Sequence, residues 1–507
     1  MKKKLFLLWI TVFTMFSMFS QGKYGHVTPQ TAEFMMSGKF PVSMYTGKLT
    51  ISIPIYNIKD PDFNLPVSVS YNADGFKPNK NPGVIGYNWT LNAGGCITRE
   101  VANIPDEHEN VDNNIELGAH GFLTLSRLRT YSPDHIYNYS PLVGQFAQLG
   151  SGSYFKLYDN TNTLMESYEY MPDVFSFNFC GKSGQFLIGN DGGVKLISEE
   201  WIDVDLDGVQ SFQPQRSVFR CIPENIVSDI IITDTIGYKY FFGGSNTAVE
   251  YTISVDCNTN GELRDNAMYQ QTTPTINAWH LTKIVAPNGR EMIFHYIKPI
   301  GAGCYLKSDP LWQYSKNRTV EGVTTMSATK SAILEKISIP DINFELNFTH
   351  TTQGTRKIFD NASDFNNLNY KLTSIIGTID NEQLCNIGFE HEHYGDNSVR
   401  GYLFLKAINI SNDLNPHKYQ FTYDVENKTF PDPYLIGRQY VDDFGYWNSN
   451  NFLGLIKTIT YPTGGVGEFT FEHHDYGTKR YFEYKNINGS AYFDPMFVGT
   501  APMQIGG

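Results

Sequence analysis

Residues 38–99 decide the fold, because they contain three segments in which polar and apolar residues alternate: KLTISIPIYNI (48–58), LPVSVSYNADG (65–75) and GYNWTLNAGGCITR (86–99). In the first segment the aliphatic residues share one face of an extended chain. Glycine, proline and asparagine, which favour turns, lie between the segments. Alternation of this kind predicts strands with one buried face, so the stretch predicts three strands joined by turns.

Aromatic residues make up 14% of the 507-residue chain, which contains 35 Phe, 32 Tyr and 44 Gly. Aromatic and β-branched side chains favour the half-buried surface of a sheet, and no long segment keeps the period of an amphipathic helix. The composition therefore predicts a mainly-β protein with multiple antiparallel sheets and hairpins. Sandwich-like domains and a stacked, shell-like arrangement both fit this prediction.

Hairpin patterns recur in the rest of the chain. Phe175, Phe177 and Phe179 alternate before a predicted turn at 181–184, and Phe186 begins the return strand. Similar units occupy residues 232–243, 279–296 and 455–472. Their spacing is irregular, so stacked repeats and unrelated hairpins both remain open.

Three blocks of the sequence resemble the N-terminal entry region of secreted RHS-repeat (YD-repeat) proteins. The blocks are residues 38–99, 171–186 and 438–477, and they include the elements ISIPI, LPVSVSYN and GYNWTLNAGGCITR. The repeat signature itself is represented only by Tyr423-Asp424, without its arginine and glycine. The match covers the entry region and contains neither a run of repeats nor a C-terminal toxin domain.

The resemblance implies an exported, non-enzymatic structural protein: the N-terminal part of a shell or surface scaffold, linked to toxin delivery or cell contact. It implies a downstream RHS or toxin polypeptide, or a cell-surface component, as partner. Because the repeats are missing, it also implies a truncated reading frame or one half of a split protein.

A domain division follows from the composition and the resemblance. Lys2, Lys3 and Lys4 precede an apolar run at 5–19, the pattern of a secretory signal peptide. We therefore expect a secreted, surface or periplasmic protein whose mature chain has no transmembrane segment, since no second run is long enough. The predicted units are 1–20 (signal peptide), 21–105 (β-rich entry domain), 106–170 (variable connection), 171–330 (β-rich domain) and 331–507 (β-rich hairpin region).

The charge and the cysteines narrow the function classes. The net charge of −13 is spread along the chain, whereas nucleic-acid binding needs a clustered basic surface, so we expect no nucleic-acid partner. The six cysteines include no CxxC pair, which excludes zinc-ribbon and thioredoxin-like sites. Disulfides Cys221–Cys257 or Cys257–Cys304 and buried free thiols are the open alternatives.

The best cofactor candidate is calcium. Asp203, Asp205 and Asp207 alternate before Gly208, like the first ligands of a calcium loop. Position 12 of such a loop would be Pro214 instead of the usual bidentate glutamate, so a complete EF-hand is excluded. A partial calcium loop and a solvated acidic turn remain, and we expect no other cofactor.

No catalytic motif is evident. His391 and His393 would share one face of a strand, but a zinc site needs a third ligand, so an ordinary histidine pair is favoured. The sequence lacks HExxH, GxSxG and a P-loop. We therefore expect no enzyme. The alternative is a surface protein that binds or cleaves carbohydrate, because a glycosidase carboxylate pair is defined by distance in space.

Four residues of the third segment are the candidate structural motif. Gly94 and Gly95 predict a tight turn or bulge after a strand that contains Trp89. We expect Trp89 to pack on residues 49–55 or the neighbouring strand, and Arg99 to pair with a carboxylate. A role of Trp89 and Arg99 in recognition is the alternative, since both residue types dominate interface hot spots.

Overall fold

The computed structural model describes most of the chain between residues 49 and 505. The described residues are 49–108 except 79, 81 and 103; 120–123; 146–149; 154–158; 164–169; 171–210 except 190–191; 227–258; 275–297; 312–320; 323–357; 366–395; 402–412; 415–425; 430; 446–447; 452–471; 474–487; and 490–505. The predicted signal peptide, Cys221 and Cys304 lie outside them.

The secondary structure consists almost entirely of strands. They are β1 (Thr50–Lys59), β2 (Asn64–Asn72), β3 (Trp89–Asn92), β4 (Gly95–Glu100), β5 (Phe146–Leu149), β6 (Tyr154–Tyr158), β7 (Leu164–Glu169), β8 (Val174–Phe179), β9 (Lys182–Ile188), β10 (Val194–Ile197), β11 (Ile202–Asp205), β12 (Asp229–Asp234), β13 (Lys239–Gly243), β14 (Val249–Asn258), β15 (Thr275–Val285), β16 (Glu291–Tyr296), β17 (Trp312–Val320), β18 (Val323–Lys330), β19 (Leu334–Ile339), β20 (Phe344–Lys357), β21 (Asn366–Ile379), β22 (Glu382–Tyr394), β23 (Tyr402–Asn412), β24 (Asn415–Tyr423), β25 (Ile456–Thr460), β26 (Val466–Glu468), β27 (His474–Ile487) and β28 (Ser490–Ile505). A short 3-10 helix spans Pro340–Ile342.

Strands β1, β2 and β3 form a separate antiparallel sheet, called the entry sheet below. Their burial follows the alternation of the sequence: Ile53 and Ile55 are buried, whereas Ser52 and Pro54 are exposed. A register shift between Pro54 and Tyr56 interrupts the pairing with β2. The period-two pattern therefore predicted the buried face correctly.

Strand β15 connects the two large sheets, because each half of it pairs with different neighbours. The half that contains Ala278 and Trp279 pairs with β14 and β4. The half that contains Lys283 and Ile284 pairs with β13 and β16. One sheet continues through β8, β9 and β10 on one side and through β18 and β17 on the other. The second sheet contains β12 and β11, and from β16 it runs through β19 to β26.

Two smaller sheets complete the described strands. Strands β5, β6 and β7 form a three-stranded sheet within the predicted variable connection. Strands β27 and β28 form a hairpin. The sequence of the connection gave no clear strand pattern, so these three strands were not predicted.

The mainly-β, antiparallel prediction is confirmed, and so are the hairpins at 232–243, 279–296 and 455–472. The turn between β8 and β9 is tighter than predicted. It consists of Cys180 and Gly181, which both have positive φ, and the return strand begins at Lys182. The predicted turn at 181–184, with Phe186 beginning the return strand, is therefore wrong.

One continuous apolar core joins the entry sheet to both large sheets. Aromatic rings form much of it; for example, Phe175 and Phe186 stack at a centroid distance of 4.9 Å. The described part of the chain contains no helix of the length and hydropathy needed to span a bilayer.

Candidate functional site: the Trp89–Arg99 motif

Trp89 attaches the entry sheet to β24, which lies much later in the chain (the Trp89–Tyr423 separation is 334 positions). The indole N–H donates a hydrogen bond to the hydroxyl of Tyr423, 2.8 Å away, and Tyr423 donates in turn to the carbonyl of Leu405 at 2.6 Å. The indole also packs against Phe421, with ring centroids 4.7 Å apart, and against Tyr71 on the neighbouring strand at 5.2 Å. Because Trp89 is fully buried, its surface is occupied by the protein itself.

Other contacts of the entry region reach β23 and β25, the two strands that pair with β24. The Tyr71 hydroxyl accepts the backbone N–H of Ile456 at 3.0 Å. The backbone N–H of Tyr87 donates to the Leu403 carbonyl at 2.7 Å. These bonds join β2 and the segment before β3 to β23 and β25, so the entry sheet is docked by main-chain and side-chain bonds together.

Gly94 and Gly95 lie where the chain leaves β3 of the entry sheet and begins β4 of the large sheet. Gly94 has a φ of +99°, a conformation that glycine adopts without strain. At Gly95 a Cβ atom would lie 2.2 Å from the Cβ of Phe179, so no larger residue fits without moving β8. Glycine is therefore required at position 94 for its backbone conformation, and at position 95 because β4 lies so close to β8.

Arg99 lies in a buried centre at the end of β4. Its Nε and one terminal nitrogen donate to the carbonyl of Ile276 at 3.0 and 2.6 Å. The other terminal nitrogen donates to Glu107 at 2.5 Å and lies 3.7 Å from Asp173. The carboxylate partner expected for Arg99 is thus Glu107. The guanidinium also lies 5.1 Å from the ring centroid of Trp279.

Three carboxylates of this centre, those of Asp106, Asp173 and Glu169, accept backbone N–H groups. Asp173 accepts the N–H groups of Ala102 and Asp106, each at 3.0 Å. Asp106 accepts the N–H of Asp173 in return, at 3.1 and 3.2 Å. Glu169 accepts the N–H of Ile104 at 2.9 Å. The centre therefore fastens the segment after β4 to the segment before β8.

Burial determines the electrostatics of the centre. Burial and the neighbouring charge of Asp173 raise the pKa of Asp106 well above its usual range. Burial also raises the pKa of Asp173 to about 7, although the positive charge of Arg99 opposes the shift. For Arg99, burial alone would lower the pKa, but Glu107 and Asp173 outweigh it and the pKa rises. The buried arginine stays charged, and the carboxyl groups of Asp106 and Asp173 hold their protons more readily than in water, because their pKa values are raised.

Sequence reasoning missed Asp106, Glu107 and Asp173. The first two follow the third strand-like segment, in a stretch without regular pattern, and Asp173 lies in the block MPDVF about seventy residues later. The available signal was the arginine itself, since a buried arginine requires carboxylate or carbonyl partners. Nothing in the sequence indicated which of the many acidic residues would supply them.

The calcium candidates lie on an exposed face. Asp203, Asp205 and Asp207 are all exposed, on or just after β11. The side chain of Asp205 accepts the backbone N–H of Asp207 at 2.9 Å. Asp229 is close enough for Asp205 to contribute, after burial, to its raised pKa. Among the described residues no group of three or more acidic, histidine or cysteine side chains is arranged to hold a metal ion, and calcium binding stays a prediction.

Of the remaining candidates, Cys96 and Cys385 are buried, His391 and Cys180 are half-buried, and His393 is exposed. The ring of His391 donates from Nε2 to the carbonyl of Ile85 at 3.1 Å, and burial lowers the pKa of His391 to about 4. Cys96, Cys180 and Cys385 are free thiols. The candidate pairings of Cys257 with Cys221 or Cys304 involve residues outside the described part.

A cleft of about 780 Å³ opens beside β13, β15 and β16. Its lining includes Asp229, Phe241, Lys283, His295 and Glu335. Lys283 lies 4.7 Å from the ring centroid of Phe241 and 3.2 Å from a carboxylate oxygen of Glu291. The cleft therefore offers hydrogen-bonding groups beside an aromatic ring, a combination that suits a polar ligand.

No family model and no curated protein matches this sequence. Similar solved structures include the N-terminal domain of effector protein SpvB from Salmonella typhimurium strain LT2, with 11% identity, 71% of this chain and 98% of that chain covered, and a TM-score of 0.28. A crystal structure of TcdB2-TccC3-TEV has 9% identity, coverage of 79% and 16%, and a TM-score of 0.34. The Photorhabdus luminescens Tc holotoxin pore has 12% identity, coverage of 76% and 16%, and a TM-score of 0.33. This chain spans 16% of the length of each Tc chain, and likeness at these scores assigns neither family nor function.

Proposed function

We propose that this chain is an exported, non-enzymatic structural protein of the RHS type. It forms the N-terminal part of a shell or surface scaffold, and it associates with a downstream RHS or toxin polypeptide or with a cell-surface component. The carrying observation is that the residues with the strongest RHS-like pattern have packing roles. Trp89 is buried against Tyr423, and Arg99 is buried among backbone and carboxylate partners.

The continuity of the sheets supports the proposal. The entry sheet, both large sheets and the residues that join them share one core. A scaffold needs such an extended, mutually supporting set of strands, whereas a binding or catalytic role of Trp89 and Arg99 would need access to their side chains. Both side chains are buried.

The test begins with the coding DNA immediately downstream of this chain. A reading frame for YD repeats or a toxin is expected, and its product should co-purify with this chain on size exclusion after co-expression. A complete glycan-utilisation or transporter operon in that position would overturn the proposal. So would a downstream RHS polypeptide that remains separate from this chain at micromolar concentrations.

A second candidate function, carbohydrate binding or cleavage, is favoured by the cleft beside β13. Carboxylates of Asp229 and Glu335 can accept hydrogen bonds from sugar hydroxyls, and Phe241 supplies an apolar surface. A glycan array should then show binding that Asp229→Asn or Phe241→Ala abolishes, while Glu382→Gln on the distant β22 leaves it unchanged. An empty array would remove this candidate.

A further inference from the structure

One edge strand of each large sheet lies beside the same short connection: β10 in one sheet and β11 in the other. Among the strands that the structure describes, β10 pairs only with β9, and β11 pairs only with β12. Residues 198–201 join β10 to β11, so the two edges are consecutive in the chain. We call residues 194–207 the β10–β11 edge. The side of β11 that faces away from β12 presents N–H and C=O groups that can pair with another extended chain.

The connection carries the most exposed large apolar side chain among those described. Trp201 is 82% exposed, Ile236 on the adjoining β12–β13 turn is 69% exposed, and Ile197 at the end of β10 is 57% exposed. The register of β11 and β12 pairs Ile202 with Asp234, which brings Trp201 and Ile236 to the same end of the sheet. Apolar side chains grouped on a polar surface are typical of interaction sites.

Hydrogen bonds hold this surface in shape. Ser198 donates from its hydroxyl to the carbonyl of Ser183 at 3.0 Å and accepts the N–H of Glu200 at the same distance. The carboxylate of Asp234 accepts the N–H groups of Ile236 and Tyr238 at 3.1 and 3.0 Å. Trp201 and Ile236 therefore lie on or beside hydrogen-bonded turns, which lowers the entropy cost of binding.

The negative charge of the β10–β11 edge favours a positively charged binding partner. Asp203 and Asp205 occupy alternate positions of β11 on the exposed face, while Ile202 and Val204 pack against the core. Glu199 adds a further exposed carboxylate. Opposite charges on directly facing strand positions stabilise a pair, and like charges destabilise it. A second copy of this chain, with a net charge of −13, would bring carboxylates against carboxylates.

We propose that the β10–β11 edge binds an extended segment of a partner protein in which basic and apolar residues alternate. The segment adds as a strand beside β11, with its basic side chains facing Asp203 and Asp205. Its apolar side chains continue the core-facing row of Ile202 and Val204, and Trp201 contacts its end. This surface is independent of the proposed scaffold role, since it uses none of the Trp89–Arg99 motif.

The probe is an acetylated, amidated hexapeptide in which valine and lysine alternate, immobilised for biolayer interferometry with the full chain in solution. A matched peptide has its central valine replaced by proline, which keeps the charge and removes a main-chain donor. We expect binding of the first peptide, clearly weaker binding of the second, and weakening of both by salt. Equal binding of the two peptides, or none, would overturn the proposal.

Protein variants locate the contact. Trp201→Ala should weaken binding about tenfold, the scale of an interface tryptophan. Asp203→Asn with Asp205→Asn should weaken binding and flatten its salt dependence. Glu382→Gln with Glu468→Gln removes the same charge elsewhere and should change neither. If both double variants weaken binding equally, the attraction is a property of net charge and the edge is not the site.

Two further measurements separate the other occupants. Hydrogen exchange of the β11 amides should slow when the lysine peptide binds. Sedimentation of the chain alone should show no dimer that Trp201→Ala abolishes, since such a dimer would assign the edge to a second copy. Calcium alone is the competing occupant: a rise in melting temperature that Asp203→Asn with Asp205→Asn removes would assign the face to the cation instead of the peptide.

Discussion

Arg99 is the residue on which the buried centre depends. It holds the positive charge that faces Glu107 and Asp173, and it also binds the carbonyl of Ile276. Removing one partner of a buried ion pair leaves the other buried and uncompensated, which costs far more than losing an exposed pair. This chain contains both a buried ion pair, at Arg99, and a half-exposed ion pair, at Lys336, so the costs of breaking each can be compared directly.

Arg99→Met should lower the free energy of unfolding by about 3–5 kcal/mol, because it leaves the buried carboxylates of Glu107 and Asp173 without their positive partner. Lys336→Met is the control, since it breaks the half-exposed pair with Glu345 at 2.8 Å and should cost less than about 1 kcal/mol. Urea unfolding of both variants measures the difference. Equal losses would mean that the Arg99 centre is as well solvated as the surface.

The pH dependence of the centre runs opposite to ordinary acid denaturation. The folded-state pKa of Asp173 is about 7, above the usual value near 4. The folded state therefore binds this proton more tightly, so the stabilising contribution is complete below about pH 4 and is lost as the pH rises through 7. Asp106 is shifted in the same direction.

Urea unfolding between pH 5 and pH 8 tests this sign. The wild-type chain should lose more stability over that window than Asp173→Asn, whose side chain does not titrate. Parallel stability profiles for the two proteins would contradict the assigned pKa.

At the scale of elements, alternation predicted the strands in which it occurs, such as β1, but it did not predict β5 to β7 or which strands are neighbours. Strand β1 has the buried face that its sequence indicates, because each residue's face is fixed locally. The partners of Arg99 lie in segments without periodicity, and the pairing of β15 with both β4 and β13 depends on the whole sheet. Such contacts are absent from any short window of sequence.

The close approach at Gly95 gives an element-scale prediction. Gly95→Ala places a Cβ 2.2 Å from that of Phe179, so β4 and β8 must separate, at a cost of about 3 kcal/mol. Gly388→Ala in β22 is the control, because its nearest neighbour would be 4.0 Å away. Thermal melting should show a large loss for the first variant and almost none for the second. A small effect at Gly95 would show that β8 moves easily.

Arg290 connects the entry sheet to the β15–β16 hairpin. Its guanidinium donates to Asp60 and Asp62 in the β1–β2 turn, and to Asp341 in the 3-10 helix, with shortest distances of 2.6 Å. Hydrogen bonds from Arg290 lower the pKa values of Asp60 and Asp62. The guanidinium therefore stabilises the position of the turn.

Arg290→Gln should speed hydrogen exchange at Phe63, whose N–H bonds within the β1–β2 turn, while the melting temperature changes little. The reason is that the bonds are partly exposed and hold one turn instead of the core. Lys283→Gln, which breaks the pair with Glu291 on the same hairpin, should leave Phe63 unchanged. Equal exchange in both variants would exclude a clamping role for Arg290.

At the scale of the whole molecule, the entry sheet, which contains the first described strands, packs on β23, β24 and β25 from much later in the chain. The hydrogen bond between Trp89 and Tyr423 spans 334 positions. No spacing rule links residues so far apart in sequence. The predicted packing of Trp89 on the neighbouring strand accounts for its contact with Tyr71, but not for its contacts with Phe421 and Tyr423. Contacts of this sequence separation form late and make folding slow.

The same contact predicts that the entry sheet and strands β23–β25 unfold together. Trp89→Ala should cost about 3–5 kcal/mol, because it removes a fully buried indole. Its effect should spread, so that amides of β2 and of β24 exchange faster by the same factor. Tyr461→Ala, at a side chain that is 41% exposed, should change neither. If only β2 exchanged faster, the entry sheet would open independently of the strands on which it packs, and the proposed scaffold would consist of separable layers.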